Sequence, residues 1–323
     1  SCTSQGHSKA APFRGIALMR RWSPLRPGDR VEIIAPASRE SDQALAALKT
    51  LLTSWWLHCV IDAAIWGKDL LCANTDAYRF SALKRALQDP TIKAIICARG
   101  GYGCMRLMPL LQTLSPPDHC KWWVGMSDIT ACNLYFQQHW QWPVLHGALS
   151  PERYDERSLA QVKALLFGEI TQITFQGRAL NQAADALDLQ NSTVIGGNLT
   201  LVQASIGTSW QLKGQDKILF LEEVGERGYR VDRMLTHLAQ AGIFDGVKAL
   251  VFGDFLSGEE PNGRSLVQPV LQRFAESLSL PVVTIVGVGH GRRNYPLPLG
   301  TRASLQSEGE ITLATQSLTQ SNF

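Results

Sequence analysis

The sequence predicts an α/β protein in two parts: an N-terminal doubly wound parallel sheet, then a mixed α/β domain with barrel-like character. Three observations predict it. Short apolar runs alternate with helix-period segments from residue 31 to about residue 140, the pattern of a parallel sheet covered by helices. The alternation lapses over 151–190 and then resumes to about residue 290. Short strand-like segments end the chain, and these can close the second sheet as a small barrel.

The elements follow in order. VEIIAP (31–36) is an apolar run stopped by proline and reads as a buried strand. SDQALAALKTLL (41–52) has helical spacing behind a Ser/Asp cap. LHCVID (57–62) is the next strand, DAYRFSALKRALQD (76–89) a helix with one apolar face, and IKAIICA (92–98) a second buried strand. RGGYG (99–103) leads into helix-like MRLMPLLQTL (105–114), and WWVGM (122–126) runs through Ser127 and Asp128 into a helix begun by ITACNLYF (129–136). Function in such sheets collects in loops at the carboxyl ends of strands, where both RGGYG and GMSD fall. EITQITFQGRALNQAADALDLQNS (169–192) reads as looser text, so the expected boundaries are 19–150, an inter-domain linker over 151–190, and 191–323. Beyond it come strand TVIGG, helix NLTLVQASIG, strand ILFLEE, helix YRVDRMLTHLAQAG, strand KALVFGDF, helix SLVQPVLQRFAESL and strand PVVTIVGVGH, then YPLPLGTRASL and EITLAT.

Composition narrows the function classes. With 323 residues, 45% apolar and 18% charged, the chain has ample length for two cores and no apolar run able to span a bilayer. A net charge of +3 without a basic run makes nucleic acid an unexpected partner. The seven cysteines are odd in number, lie in the first half and include no CxxC pair, so a reducing compartment is expected and a metal site is not. The cytoplasm is the expected location. A rival expectation takes Ser1-Cys2 as the remnant of a lipoprotein signal, with a periplasmic enzyme; Met19 is the natural start otherwise.

Ser127 stands where a strand turns sharply into a helix, the setting of a nucleophile elbow. The bland alternative is a helix cap at Ser127 or Asp128. Gly125-Met126-Ser127-Asp128-Ile129 lacks the second glycine of G-x-S-x-G, which disfavours an ordinary α/β-hydrolase. A serine nucleophile needs a base, a group to orient it and oxyanion donors. Among seven histidines, His290 is the best candidate base, past an apolar strand and between glycines; His146 is a second, equally readable as structural. Glu222 and Glu223 close a strand and should face opposite ways, so that one faces the site and at least one is simply solvated. RGGYG lacks the full phosphate-loop pattern; an amide from Gly101 or Gly100, with that of Asp128, fits an oxyanion site better. The Asp128 side chain would then cap the helix and stiffen the corner.

These blocks resemble the LD-carboxypeptidases, serine peptidases that include the microcin C immunity carboxypeptidase. DRVEIIAPAS, ARGGYGCMRL, GMSDITA, IGGNLTLVQASIGT, LFLEEVGERGYRVDRML and GHGRRNYPLPLG carry the resemblance from about Leu25 onward. It implies a parallel-sheet domain plus a barrel-like one, with Ser127 as nucleophile, His290 as base and Glu222 orienting His290. It also implies removal of the terminal D-alanine from a muropeptide tetrapeptide, with no cofactor or metal. Glu223, Met126 and Ala148 depart from the family pattern beside the triad and bear on substrate fit. Two alternatives stand beside it: an immunity-type peptidase cutting an aminoacyl-nucleotide analogue, and a non-catalytic muropeptide-binding protein. A homodimer is compatible with the sequence.

Overall fold

A computed structural model describes residues 21–317. Cys2 and Met19, on which the expectations about the N-terminus turn, lie outside the described residues. Strands β1 (Arg30–Ile34), β2 (His58–Ile61), β3 (Ile92–Cys97), β4 (Trp122–Val124) and β5 (Val144–His146) alternate with helices α1 (Asp42–Ser54), α2 (Asp76–Gln88), α3 (Met108–Leu111) and α4 (Thr130–Trp140). After α5 (Glu156–Leu166) the chain forms β6 (Gln172–Ala179), β7 (Asp188–Asn198), α6 (Leu199–Ala204), β8 (Ile218–Val224), α7 (Gly228–Gln240), β9 (Ala249–Leu256), α8 (Val267–Glu276) and β10 (Val282–Ile285). It ends with β11 (Leu297–Leu299), β12 (Arg302–Glu308) and β13 (Glu310–Gln316).

The first sheet has the order β11-β5-β4-β3-β1-β2, parallel apart from β11, which runs antiparallel to β5. A closed barrel of order β10-β6-β13-β12-β7-β8-β9 forms the second layer. Its β7, β8, β9 and β10 are parallel neighbours, and β6, β13 and β12 return antiparallel. No helix among the described residues is long and apolar enough to cross a membrane.

Two segments differ from expectation. Residues 151–190, read as a loose linker, contain α5 and the whole of β6, a barrel strand paired to both β10 and β13. Their inward residues Ile173 and Phe175 are buried while Gln172, Thr174 and Gln176 face outward, an alternation that polar side chains disguise as irregular text. YPLPLGTRASL is two strands in two different sheets. Gly300, at φ +77°, separates β11 in the first sheet from β12 in the barrel.

Helix caps and one buried cation fix the ends that matter. Ser41 Oγ accepts from Ala44 N at 3.0 Å to start α1, whose Ala44, Leu48 and Leu52 share the buried face. Thr75 caps α2 in the same way. Arg79 on α2 is 2% exposed and donates to the carbonyls of Pro36 (2.6 Å), Asn74 (3.0 Å) and Gly103 (3.0 Å), and to Asp76. It thereby ties the segment after β1 to the RGGYG loop after β3. Replacing Arg79 with Leu strands these buried carbonyls, and we expect a loss of about 3 kcal/mol, measured as a shift of the urea midpoint. An unchanged midpoint would mean that water takes over the three acceptors.

Candidate active site

Ser127 occupies a left-handed corner, at φ 60°. A serine held there costs about 1–3 kcal/mol of strain, so surrounding contacts must enforce it. Gly125 supplies the first of these: a Cβ at that position would lie 2.4 Å from Ile129 Cγ2, so only glycine lets the helix start so close to the strand. Asn133 Nδ2 donates to Gly125 O (3.0 Å) and Trp123 Nε1 to Asn133 Oδ1 (2.8 Å), bracing the corner from below. Neither Ser127 nor Asp128 caps the helix; neither the short 3-10 turn Ser127–Ile129 nor α4 has a side-chain cap. The Asp128 carboxylate, expected to cap, instead accepts from Cys104 N at 2.9 Å and so binds the corner to the RGGYG loop. Burial pushes its pKa up against the pull of that bond.

RGGYG lies against the serine. A Cβ on Gly100 would sit 2.9 Å from Ser127 Cβ and 3.2 Å from its Oγ, and one on Gly101, at φ +96°, would collide with Ser38 Oγ. Ser38 fastens the loop by donating its N–H to Gly100 O (3.1 Å) and accepting from Tyr102 N (3.0 Å). The amide of Asp128, second in a 3-10 turn, has no acceptor within the turn.

His290 comes from the loop after β10. Its Nδ1 lies 2.8 Å from Glu222 Oε2, at the end of β8, which is fully buried. The close approach needs Gly289, where a Cβ would fall 2.9 Å from Asp254 Cβ and 3.5 Å from Glu222 Oε2. Asp254 Oδ1 accepts from Gly287 N and Asn294 Oδ1 from Gly289 N, holding both flanks of the histidine. With Nδ1 committed to the carboxylate, the proton sits on Nδ1 and Nε2 is the basic nitrogen.

The two acids differ from expectation in one respect: neither is solvated. A register shift between Leu221 and Glu223 interrupts the strand pairing to β9. Glu223 accepts from Asn198 Nδ2 (3.0 Å), Val224 N (3.0 Å), Thr200 N (2.9 Å) and Thr200 Oγ1 (2.6 Å), so its oxygens are fully engaged away from His290. Burial raises its pKa despite these donors. His146 is also fully buried, edge-on to Phe220 at 5.4 Å, and both its ring nitrogens lack a partner among the described residues. Burial pushes its pKa down to about 4, so it is a neutral core histidine.

Ser127, His290, Gly100 and Gly101 line one cavity of about 270 Å³, with Arg99, Arg153 and Tyr154 on its walls. Among the described residues no hydrogen bond joins Ser127 to His290. The structure therefore brings Ser127, Gly101, Asp128, Glu222 and His290 into one neighbourhood, with Asn198 and Arg153 as additions that sequence reasoning missed. Asn198 carried a signal, an asparagine behind two glycines; it reads as a helix cap, which it also is, its Oδ1 accepting from Leu201 N at 3.3 Å.

Residues 31–147 match the LD-carboxypeptidase N-terminal domain and residues 191–305 the LD-carboxypeptidase C-terminal domain. The chain belongs to the LD-carboxypeptidase family. A provisionally named carboxypeptidase of Rickettsia conorii is 38% identical over 291 residues, covering 88% of this chain and 90% of the relative. The murein tetrapeptide carboxypeptidase of Pseudomonas aeruginosa is 30% identical over 305 residues, covering 88% and 95%. The crystal structure of muramoyltetrapeptide carboxypeptidase from Oxalobacter formigenes superimposes with a TM-score of 0.74 at 27% identity, over 90% of this chain and all of that one. The microcin C7 self-immunity protein shares the fold, at TM-score 0.76 and 18% identity over 93% of this chain and 99% of that one. This LD-carboxypeptidase is accordingly a serine-type carboxypeptidase.

The buried pair makes a pH-dependent contribution of known sign. Burial alone would lower the His290 pKa, but the hydrogen bond and charge of Glu222 outweigh it and hold the pKa above the ordinary 6.5. A histidine raised in the folded state stabilises fully below its unfolded value and loses that contribution as pH rises through the folded one. His146 has the opposite sign, losing stability between 6.5 and about 4 as pH falls, so the two windows are separable. We expect proton NMR to titrate His290 above 6.5 in the wild type and lower in Glu222→Gln, with the fall in urea midpoint above pH 6.5 flattened in that variant. Equal titration in both proteins would show that the carboxylate does not hold the ring.

Proposed function

We propose that this LD-carboxypeptidase removes the terminal D-alanine from muropeptide tetrapeptides, with Ser127, His290 and Glu222 as its triad. The observation that carries the assignment is the 2.8 Å Glu222 to His290 contact opening onto the cavity that Ser127 also lines. Ser127 Oγ attacks the carbonyl carbon of the scissile amide while His290 Nε2 takes its proton. The negative charge that develops on the carbonyl oxygen is held by the amides of Gly101 and Asp128. Collapse of the tetrahedral intermediate breaks the C–N bond, and His290 gives its proton to the leaving D-alanine nitrogen. Water then attacks the acyl-enzyme by the reverse proton path. The Glu222 carboxylate stabilises the imidazolium at both stages.

The murein tetrapeptide and muramoyltetrapeptide carboxypeptidases among the similar proteins support this substrate class. An aminoacyl-nucleotide analogue has only fold likeness behind it, and the cavity wall offers Tyr154 alone as an aromatic ring, itself buried. A binding-only role would leave the strained serine and the buried acid–histidine pair without purpose. The cytoplasm is our reading of location; the free thiols of Cys59, Cys72, Cys97, Cys104 and Cys132 support a reducing compartment.

Incubation with disaccharide-tetrapeptide should release one alanine by mass spectrometry, and Ser127→Ala should reduce turnover by about 10⁴-fold or more with the fold intact. Glu222→Gln should lower kcat about 10⁴-fold, by removing the charge that stabilises the imidazolium. Glu223→Gln should act mainly on stability, because its oxygens hold Asn198 and Thr200. Near-normal activity of Ser127→Ala would sink the serine mechanism, and reversed severities for the two acids would reassign the orienter.

A further inference from the structure

A carboxypeptidase must distinguish a chain end from a chain interior, and the mark of the end is a free carboxylate. The residues lining the Ser127–His290 cavity include two arginines, Arg99 and Arg153, and no aspartate or glutamate. Arg99 Nη1 donates to Arg39 O at 3.0 Å and has no carboxylate partner among the described residues. Arg153 Nη2 donates to Glu40 Oε2 at 2.7 Å. Glu40 is itself only 11% exposed at its side chain and also receives Ser41 N, so it is a fixed anchor. A guanidinium has five N–H donors in a planar fork; with one spent on Glu40, the rest remain to grip a second carboxylate.

Position favours Arg153 over Arg99. In the reaction proposed above, His290 protonates the leaving nitrogen, and the terminal carboxylate of the leaving residue hangs two bonds from that atom. The cation that reads it must therefore stand beside His290. Arg153 is near enough for its charge to oppose protonation of His290. Its backbone belongs to the turn that touches the histidine loop: Asp155 N donates to Arg292 O at 2.8 Å, and Asn294 N to Ser158 Oγ at 2.8 Å. The geometry points to Arg153, oriented by Glu40, as the residue that binds the terminal carboxylate of the substrate and confines cleavage to the last bond. The inference rests on the proposed peptidase reading but is separable from it.

The test compares tetrapeptide ending in D-alanine with the same peptide ending in D-alaninamide. The wild type should prefer the acid by about 30-fold or more in kcat/KM, the worth of a charged hydrogen bond. Arg153→Met should collapse that preference toward unity, Arg153→Lys should keep part of it, and Glu40→Gln, which frees the guanidinium from its anchor, should give an intermediate ratio. The Arg153 side chain is 46% exposed, so the two Arg153 variants should melt like the wild type. Equal loss on acid and amide in Arg153→Met, or an unchanged ratio, overturns the assignment. If the wild type cleaves neither peptide, the proposed function fails instead. Calorimetry with Ser127→Ala then decides the subsite alone: tighter binding of acid than amide, abolished by adding Arg153→Met, sustains it, and equal binding refutes it.

Discussion

One residue, Asn198, joins the two halves of the site. Its backbone N–H donates to Thr130 Oγ1 at 3.1 Å, on the helix that begins at the Ser127 corner, while its Nδ2 donates to Glu222 Oε1 (3.3 Å) and Glu223 Oε1 (3.0 Å). Two adjacent carboxylates, 0% and 4% exposed, would repel each other and drive at least one to take up a proton. Donors pointed at both relieve that cost. The strand reaches these partners because Gly196 and Gly197 carry no side chain: a Cβ on Gly197 would fall 2.6 Å from Thr130 Oγ1, and one on Gly196 would fall 1.9 Å from Phe220 O.

The division of labour between the acids follows from how many donors each meets. Glu223 is consumed by Asn198, Val224 and Thr200, and it fixes the start of α6 to the end of β8. Among the described residues Glu222 meets only Asn198 and His290 through hydrogen bonds, so the imidazole is its principal partner. A neutral histidine placed against a solvated acid would be a weak arrangement. Here the acid is buried, and its stabilisation of the imidazolium is strong because water does not screen it. His146, deeper in the same interface, shows the contrast: a histidine more fully buried than His290, at 0% against 18% exposed, and without a hydrogen-bonded acid, is held neutral.

Much of this was legible in the chain. Buried parallel strands are near-continuous apolar runs, so VEIIAP, IKAIICA and ILFLEE announced themselves, and glycine-flanked loops after them marked Ser127 and His290. What stayed hidden depends on contacts between distant segments. β6 has an outward face of glutamine and threonine, and an open-faced barrel strand looks like irregular text until its partners are known. The alternation rule placed Glu222 and Glu223 on opposite sides, but a register shift beside Glu222 and the reach of Asn198 let one group serve both. Asp128 reads locally as a cap; its partner Cys104 is twenty-four positions away. Arg153 sits in a polar turn and acquires meaning only from the cavity it borders.

The same long-range contacts limit how the site can move. A loose linker over 151–190 would make Ser127 and His290 the ends of a free hinge, yet that segment is spent on α5 and a barrel strand. A stronger constraint comes after the histidine. Leaving His290, the chain crosses back to the first sheet, where Leu297, Pro298 and Leu299 pair with His146, Leu145 and Val144. It then turns at Gly300, whose N–H donates to Val194 O (2.9 Å), and re-enters the barrel as β12. The histidine loop is thus pinned to the barrel through Asp254 and to the first sheet through β11. A wide swing of one half against the other would break the β11 to β5 pairing or pull His290 from Glu222. Closing the gap between Ser127 and His290 therefore falls to side-chain rotation and small adjustments of the corner and loop, a motion that keeps the Glu222 to His290 bond intact throughout.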